Sequence, residues 1–224
     1  MTGRRSVLAV AAVALLLVAS PSGARQSADH QKAAALIEGL RARVPEAIRE
    51  LGWLQNSIPR AGAIPADVID GLQELHDAAF TAFKLPDAER QRFLELAKAD
   101  IVVKAEYCRK HPQGMAALVD VTVHTWRPSV EPRVEAKQWN VVYLSAPLAV
   151  FADRKGKAFP GFSSPSKRAL PPGNYVVWAE DPADASRRGP RKEIQVGDPT
   201  TTLTAPVVVD ILIAPGRQAP RDRP

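Results

Sequence analysis

The sequence predicts an α+β chain, a helical region followed by an antiparallel β-sandwich, on three observations. From residue 27 to 112, apolar residues recur at alternating steps of four and three, the spacing of one side of a helix. Past Gly114 the chain becomes a series of short β-branched runs punctuated by proline, and 14 of the 20 prolines lie there. Among those runs Leu170-Pro171-Pro172-Gly173-Asn174-Tyr175 has the composition of a stiff corner that launches a strand, Tyr175 to Ala179. The predicted boundaries are a leader over 1–24, a helical region over 27–112, a sandwich over 117–214 and a disordered tail over 215–224.

The leader rests on Arg4 and Arg5, an apolar run from Val7 to Ala19, and the small residues Ser22 and Ala24 at the −3 and −1 positions of a cleavage site. The run is too short for a comfortable membrane span, so the expectation is export to the periplasm or beyond, with no stable span after signal removal. Removing the leader takes away two arginines and lowers the formal charge from +6 to +4. That charge is diffuse, and three arginines lie in the tail. Basic blocks interleaved with aromatics are absent, which argues against nucleic acid as a partner. A single cysteine, Cys108, allows no internal disulfide; it reads either as a buried helix residue or as one half of an intermolecular bridge.

In the helical region the seam runs through Ala33, Ile37, Leu40, Val44, Ala47, Leu51, Leu54 and Ile58, with a kink or a change of helix expected at Pro45. A loop over 57–63 leads through Pro65 and Asp67 to a helix carrying Val68, Leu72, Leu75 and Ala79, with Ile69, His76, Phe80 and Phe83 beside them. Leu85-Pro86-Asp87 opens a third helix, lined by Phe93, Leu96, Ala97, Ile101, Ala105 and Cys108 and stopped at His111-Pro112. Such stripes must be buried together or against the sheet that follows. The predicted strands are Val119 to Trp126, Trp139 to Leu144, Ala149 to Phe151, Tyr175 to Ala179, Glu193 to Val196, Thr202 to Thr204 and Val207 to Ile213. No helix separates them, so parallel pairing is not expected.

No constellation points to chemistry. His30, His76, His111 and His124 have no metal-ligand spacing, and Ser163, Ser164 and Ser166 lie outside any GxSxG motif. Catalytic residues, metal ligands and cofactors are therefore not assigned. The candidate binding residues are aromatic. Trp178 faces away from Tyr175 and Val177, and His124 with Trp126 faces away from Val121 and Val123, so both groups fall on the non-core side of the sandwich. Either the helices cover this side, or His124, Trp126 and Trp178 form an exposed platform for a glycan or peptide.

The corner and its strand, with Ile194-Gln195-Val196 and the closing Val207 to Ile213 run, resemble the carboxypeptidase regulatory-like domain over roughly residues 117–214. In place of the family's Gly-x-Phe strand before the turn, Gly161-Phe162 is followed by Ser163-Ser164-Pro165-Ser166. The resemblance implies a prealbumin-like sandwich, shared with collagen-adhesin B-type repeats, acting as a non-catalytic module with no active-site residues. The expectation is an exported binding or assembly module whose partner is a protein or glycan of the cell envelope. The competing expectation is an enzyme, or an enzyme's accessory subunit, with its site at the junction of helices and sheet.

Overall fold

A computed structural model describes residues 21–127, 134–135, 139–159 and 164–213. The predicted leader up to residue 20, Gly161-Phe162 and the predicted tail lie outside the described residues.

The helical half follows its apolar spacing closely. Helix α1 (Pro21–Arg41) starts earlier than the periodicity, inside the expected cleavage segment; a proline at the start costs nothing, because the amide it lacks would have no helical partner. Every residue of the seam from Ala33 to Ile58 is buried. Helix α1 ends at Arg41, and after Val44 at φ −126°, ψ 64° Pro45 opens a single tight turn, Pro45–Ala47. Helix α2 (Ile48–Ser57) then continues the seam with Leu51 and Leu54 buried. Helices α3 (Ala66–Ala82) and α4 (Asp87–Lys110) each begin just after an extended proline, Pro65 and Pro86. Asp67 in one first turn and Asp87 with Glu89 in the other complement the helix dipoles. Phe80 and Phe83, expected beside a stripe, are exposed and lie under the Arg43 guanidinium at 4.5 and 5.9 Å from the ring centres.

Among the described residues nine strands follow, in two sheets. In the first, β1 (Val119–Arg127) is flanked on one side by β5 (Ser166–Leu170) and the short β2 (Val134–Glu135), and on the other by β9 (Val207–Leu212). In the second, β3 (Asn140–Ser145) lies between β4 (Lys157–Ala158) and β6 (Gly173–Asp181). The far edge of β6 is shared by β7 (Asp184–Arg188) and β8 (Lys192–Val196).

One expectation about pairing fails. The β9 strand runs parallel to β1, with Val121 opposite Val207 and Trp126 opposite Leu212, while the other six pairings are antiparallel. A parallel neighbour needs a long connection rather than a helix as such, and the whole second sheet lies in the chain between β1 and β9.

Two of the expected strands are absent. Ala149 to Phe151 falls at the end of a helical turn, Ala146–Val150, that carries Pro147 in its first turn and seats Phe151 edge-on against Phe93 of α4 at 5.7 Å. Thr202 to Thr204 is a turn closed by the Ala205 amide on the Thr202 carbonyl. Conversely β5 (SKRAL) is buried only at its two ends and carries charges between them, and β7 (DASRR) is charged and exposed throughout, so alternation could not mark them.

The layers are helices, second sheet, first sheet. Val142, Leu144, Val176 and Trp178 join the helical core through one face of the second sheet. Val141, Tyr143, Tyr175, Val177 and Ala179, on its other face, meet Val119, Val121, Val123, Val209 and Ile211 of the first sheet. The period of two predicted for β1 and β6 therefore holds residue by residue.

Candidate functional site

Helix α4 runs along the seam between the helical core and the sheets. Its apolar stripe is interrupted by a charged pair one turn apart: Asp100, fully buried, and Lys104, nearly so. The Lys104 ammonium reaches both carboxylate oxygens at 2.7 and 2.6 Å. Asp100 Oδ1 also accepts the Asn174 backbone N–H at 2.8 Å, on the corner that the sequence singled out. Burying a charge is costly unless it is paired and hydrogen-bonded, and both conditions are met here.

The corner is shaped for this contact. A Cβ on Gly173 would overlap both Lys104 Nζ and Asp100 Oδ1. Two residues on, Tyr175 folds back so that its hydroxyl donates to the Pro171 carbonyl at 2.9 Å. Burial, with the Asp100 carboxylate next in weight, pushes the Tyr175 phenol well above its ordinary 10. Tyr175 packs edge-on to Tyr143 at 6.0 Å, and the Lys104 ammonium stands 5.8 Å from its ring centre.

Beside this corner a cavity of about 100 Å³ opens between α2, α3, α4 and the edge of the second sheet. Its buried wall is formed by Leu54, Leu72, Cys108, Met115, Leu144 and Leu148, and its polar groups come from α3, α4 and the segment before β4. Asp67 is held by Arg168, which reaches over from β5 to both carboxylate oxygens at 3.2 and 3.0 Å, its guanidinium 5.3 Å from the Tyr143 ring centre. Glu74 pairs with Lys157 at 2.8 Å. Burial pulls the Lys157 ammonium down, but the hydrogen bond and charge of Glu74 outweigh it and leave it above its ordinary value. Arg154 and Lys155 complete the rim, both exposed.

Cys108 lines the same cavity but is only 3% exposed, which removes the intermolecular bridge as a reading. Burial pushes its thiol up to about 12 against the opposing pull of Lys104 and Arg60, so it is a neutral thiol rather than a nucleophile. Ser164 is buried, and its hydroxyl accepts the Thr125 amide at 3.1 Å. Among the described residues no group of three His, Cys, Asp or Glu is placed to hold a metal ion. No helix among them is long and apolar enough to cross a membrane.

The aromatic candidates do lie away from the core between the sheets, yet they do not meet. Trp178, on the helix side, is 3% exposed and packed in the helical core, its indole N–H on Glu180 at 2.7 Å and Arg191 over its ring at 5.1 Å. The helices cover it, so a shared exposed platform is not formed. His124 and Trp126 stack at 5.6 Å on the outer face of the first sheet. His124 is bonded to Glu135 at 2.8 Å and Trp126 to Asp210 at 2.8 Å, with exposed Val208 and Leu212 alongside.

The Asp100–Lys104 pair escaped the sequence reading, although a signal was present. Phe93, Ala97, Asp100, Lys104 and Cys108 continue the four-and-three spacing of the seam, so two charges sit where that spacing calls for apolar residues. What fold and site define together is a helical region laid on a two-sheet unit, with a ligand-sized cavity at their junction. No protein-family model, curated protein or solved structure matches the chain.

Proposed function

We propose that the protein is an exported, non-catalytic binding or assembly module of the cell envelope, its sheets forming a prealbumin-like β-sandwich of the carboxypeptidase regulatory-like kind. The observation that carries the non-catalytic part is the state of the junction. Each carboxylate lining the cavity, Asp67 and Glu74, is already ion-paired, and the buried Lys104 is committed to Asp100. A general acid or base must be in reach of a substrate proton, and these groups are engaged in holding the halves of the molecule together. The apolar wall beside them stays open, which suits binding. The leader with small residues at the expected cleavage site supports export.

A second reading keeps its place on one observation. Asp67, Glu74, Lys104 and Lys157 line a single cavity, which is where an enzyme or accessory subunit would carry its site.

The test is to recover the protein from fractionated cells, determine its N-terminus by mass spectrometry, and crosslink it in place from Lys155 and, separately, from Leu212. A chain starting after Ala24 in the exported fraction, with a discrete adduct from one position, is the expected result. A full-length chain confined to the cytoplasm would overturn the export claim. Turnover that disappears in Glu74→Gln with the fold intact would replace the module by the enzyme.

A further inference from the structure

We propose that the cavity at the helix–sheet junction binds a small amphipathic carboxylate, its apolar body between α2, α4 and the Ala146–Val150 turn and its anionic end at the rim formed by Arg154 and Lys155. The inference rests on the reading of the protein as a binding module and adds the ligand class.

Size sets the first limit. A space of about 100 Å³ is on the scale of the roughly 150 Å³ apolar cavity that admits a benzene ring. A single ring or a chain of about six carbons fits that scale; a diacyl lipid or a folded polypeptide does not. The wall selects for apolar contact, because Leu54, Leu72, Met115 and Leu148 are buried side chains with no polar group to satisfy.

Charge sets the second limit. Of the charged side chains on the lining, Asp67 is neutralised by Arg168, Glu74 by Lys157 and Lys104 by Asp100. That leaves Arg154 and Lys155. Lys155 has no ion-pair partner among the described residues, and the Arg154 side chain makes only a ring contact there, its guanidinium 5.9 Å from the centre of Phe151. Both are exposed, as groups that meet a ligand's charged end in water must be. A cationic ligand would meet two like charges at the rim, and a neutral one would leave them unused.

The chemistry therefore ranks three six-carbon probes: hexanoate above hexan-1-ol above hexylamine. Titrating the purified full chain by calorimetry should give saturable one-to-one binding of hexanoate, tighter than hexan-1-ol by roughly tenfold at low salt. The gap should narrow as salt is added, because both cations are exposed. Arg154→Gln with Lys155→Gln should erase the gap while leaving hexan-1-ol binding and the melting temperature unchanged. Leu148→Trp should abolish both ligands; if that variant is destabilised, Leu72→Met serves as a milder change of wall shape that alters both affinities together.

Hexan-1-ol or hexylamine binding as tightly as hexanoate, or a double variant that keeps the hexanoate preference, would overturn the ligand class. Absence of saturable binding by all three would overturn the site. The titration reads the cavity and the cell fractionation reads the module, so either can fail alone.

Discussion

Asp100 Oδ1 accepts the main-chain N–H of Asn174 at 2.8 Å, tying the middle of helix α4 to the first residues of strand β6. The contact spans 74 positions and, among the described residues, is the one hydrogen bond by which a carboxylate of that helix holds the sheet's backbone. It explains why a charged pair is retained inside an apolar seam. An apolar pair could fill the space, but the Asn174 amide would lose its acceptor.

Asp100→Ala should destabilise the protein by about 3–5 kcal/mol, since it strands the Lys104 ammonium in a nearly water-free site. The double replacement Asp100→Leu with Lys104→Met should cost less than the single change, leaving mainly the unsatisfied Asn174 amide, about 1–3 kcal/mol. Urea unfolding of the three proteins checks the order. A double variant as damaged as the single one would mean that the ion pair itself, and not the stranded charge, supplies the stability.

Gly173→Ala should destabilise by about 1–3 kcal/mol, the usual cost of forcing an extra carbon into a packed site. The new methyl would overlap Lys104 Nζ and Asp100 Oδ1, so its effect and that of Asp100→Ala should be less than additive. Strict additivity in the double-mutant cycle would show that the glycine is needed for its backbone alone.

How far the sequence could be read follows from what each residue does to periodicity. The helical seam was legible because every one of its apolar positions from Ala33 to Ile58 is buried, and the proline at 45 broke it where expected. The faces of β1 and β6 were legible by alternation. Strand β7 was not, because all its side chains point to water and charge carries no period. The parallel seat of β9 was hidden for another reason: pairing partners are set by the whole path of the chain, and Val207 to Leu212 looks the same in either direction. The cavity was invisible because it is a gap between Leu54, Met115 and Leu148, residues that local pattern assigns only to the core.

Trp178→Ala and Trp126→Ala should separate clearly. Removing a buried indole that packs among the helices should cost about 3–5 kcal/mol. Trp126 is half-buried and stacks on His124, so its loss should cost about 1 kcal/mol, within the usual worth of an aromatic pair. Thermal melts of both variants decide this. Equal losses would mean that the outer face of the first sheet is covered in solution.

His111, which caps the C-terminal end of α4, should make the protein sensitive to mild acid. Burial, and then the neighbouring Arg60 guanidinium, hold the His111 imidazole below its ordinary 6.5. Its Nδ1 accepts the Gln113 amide at 3.3 Å, which only the neutral ring can do. A group whose folded pKa is depressed contributes stability above its unfolded value that is lost as pH falls through the folded one. Stability should therefore decline from pH 6.5 downward, before the Glu50 carboxyl begins to protonate; burial pushes that carboxyl up, but the hydrogen bond from Arg49 and the nearby positive charges outweigh it and hold it below 4.5. His111→Gln should flatten that upper part of the profile. Arg60 also donates to the carbonyls of Cys108 at 2.7 Å, Arg109 at 3.0 Å and His111 at 3.4 Å, the open end of the helix. Arg60→Ala should thus do two things at once: lower stability at pH 8 by about 1–2 kcal/mol, and let the His111 pKa rise toward 6.5 in an NMR titration. A variant that loses stability while His111 titrates unchanged would leave burial alone as the cause of the depressed value.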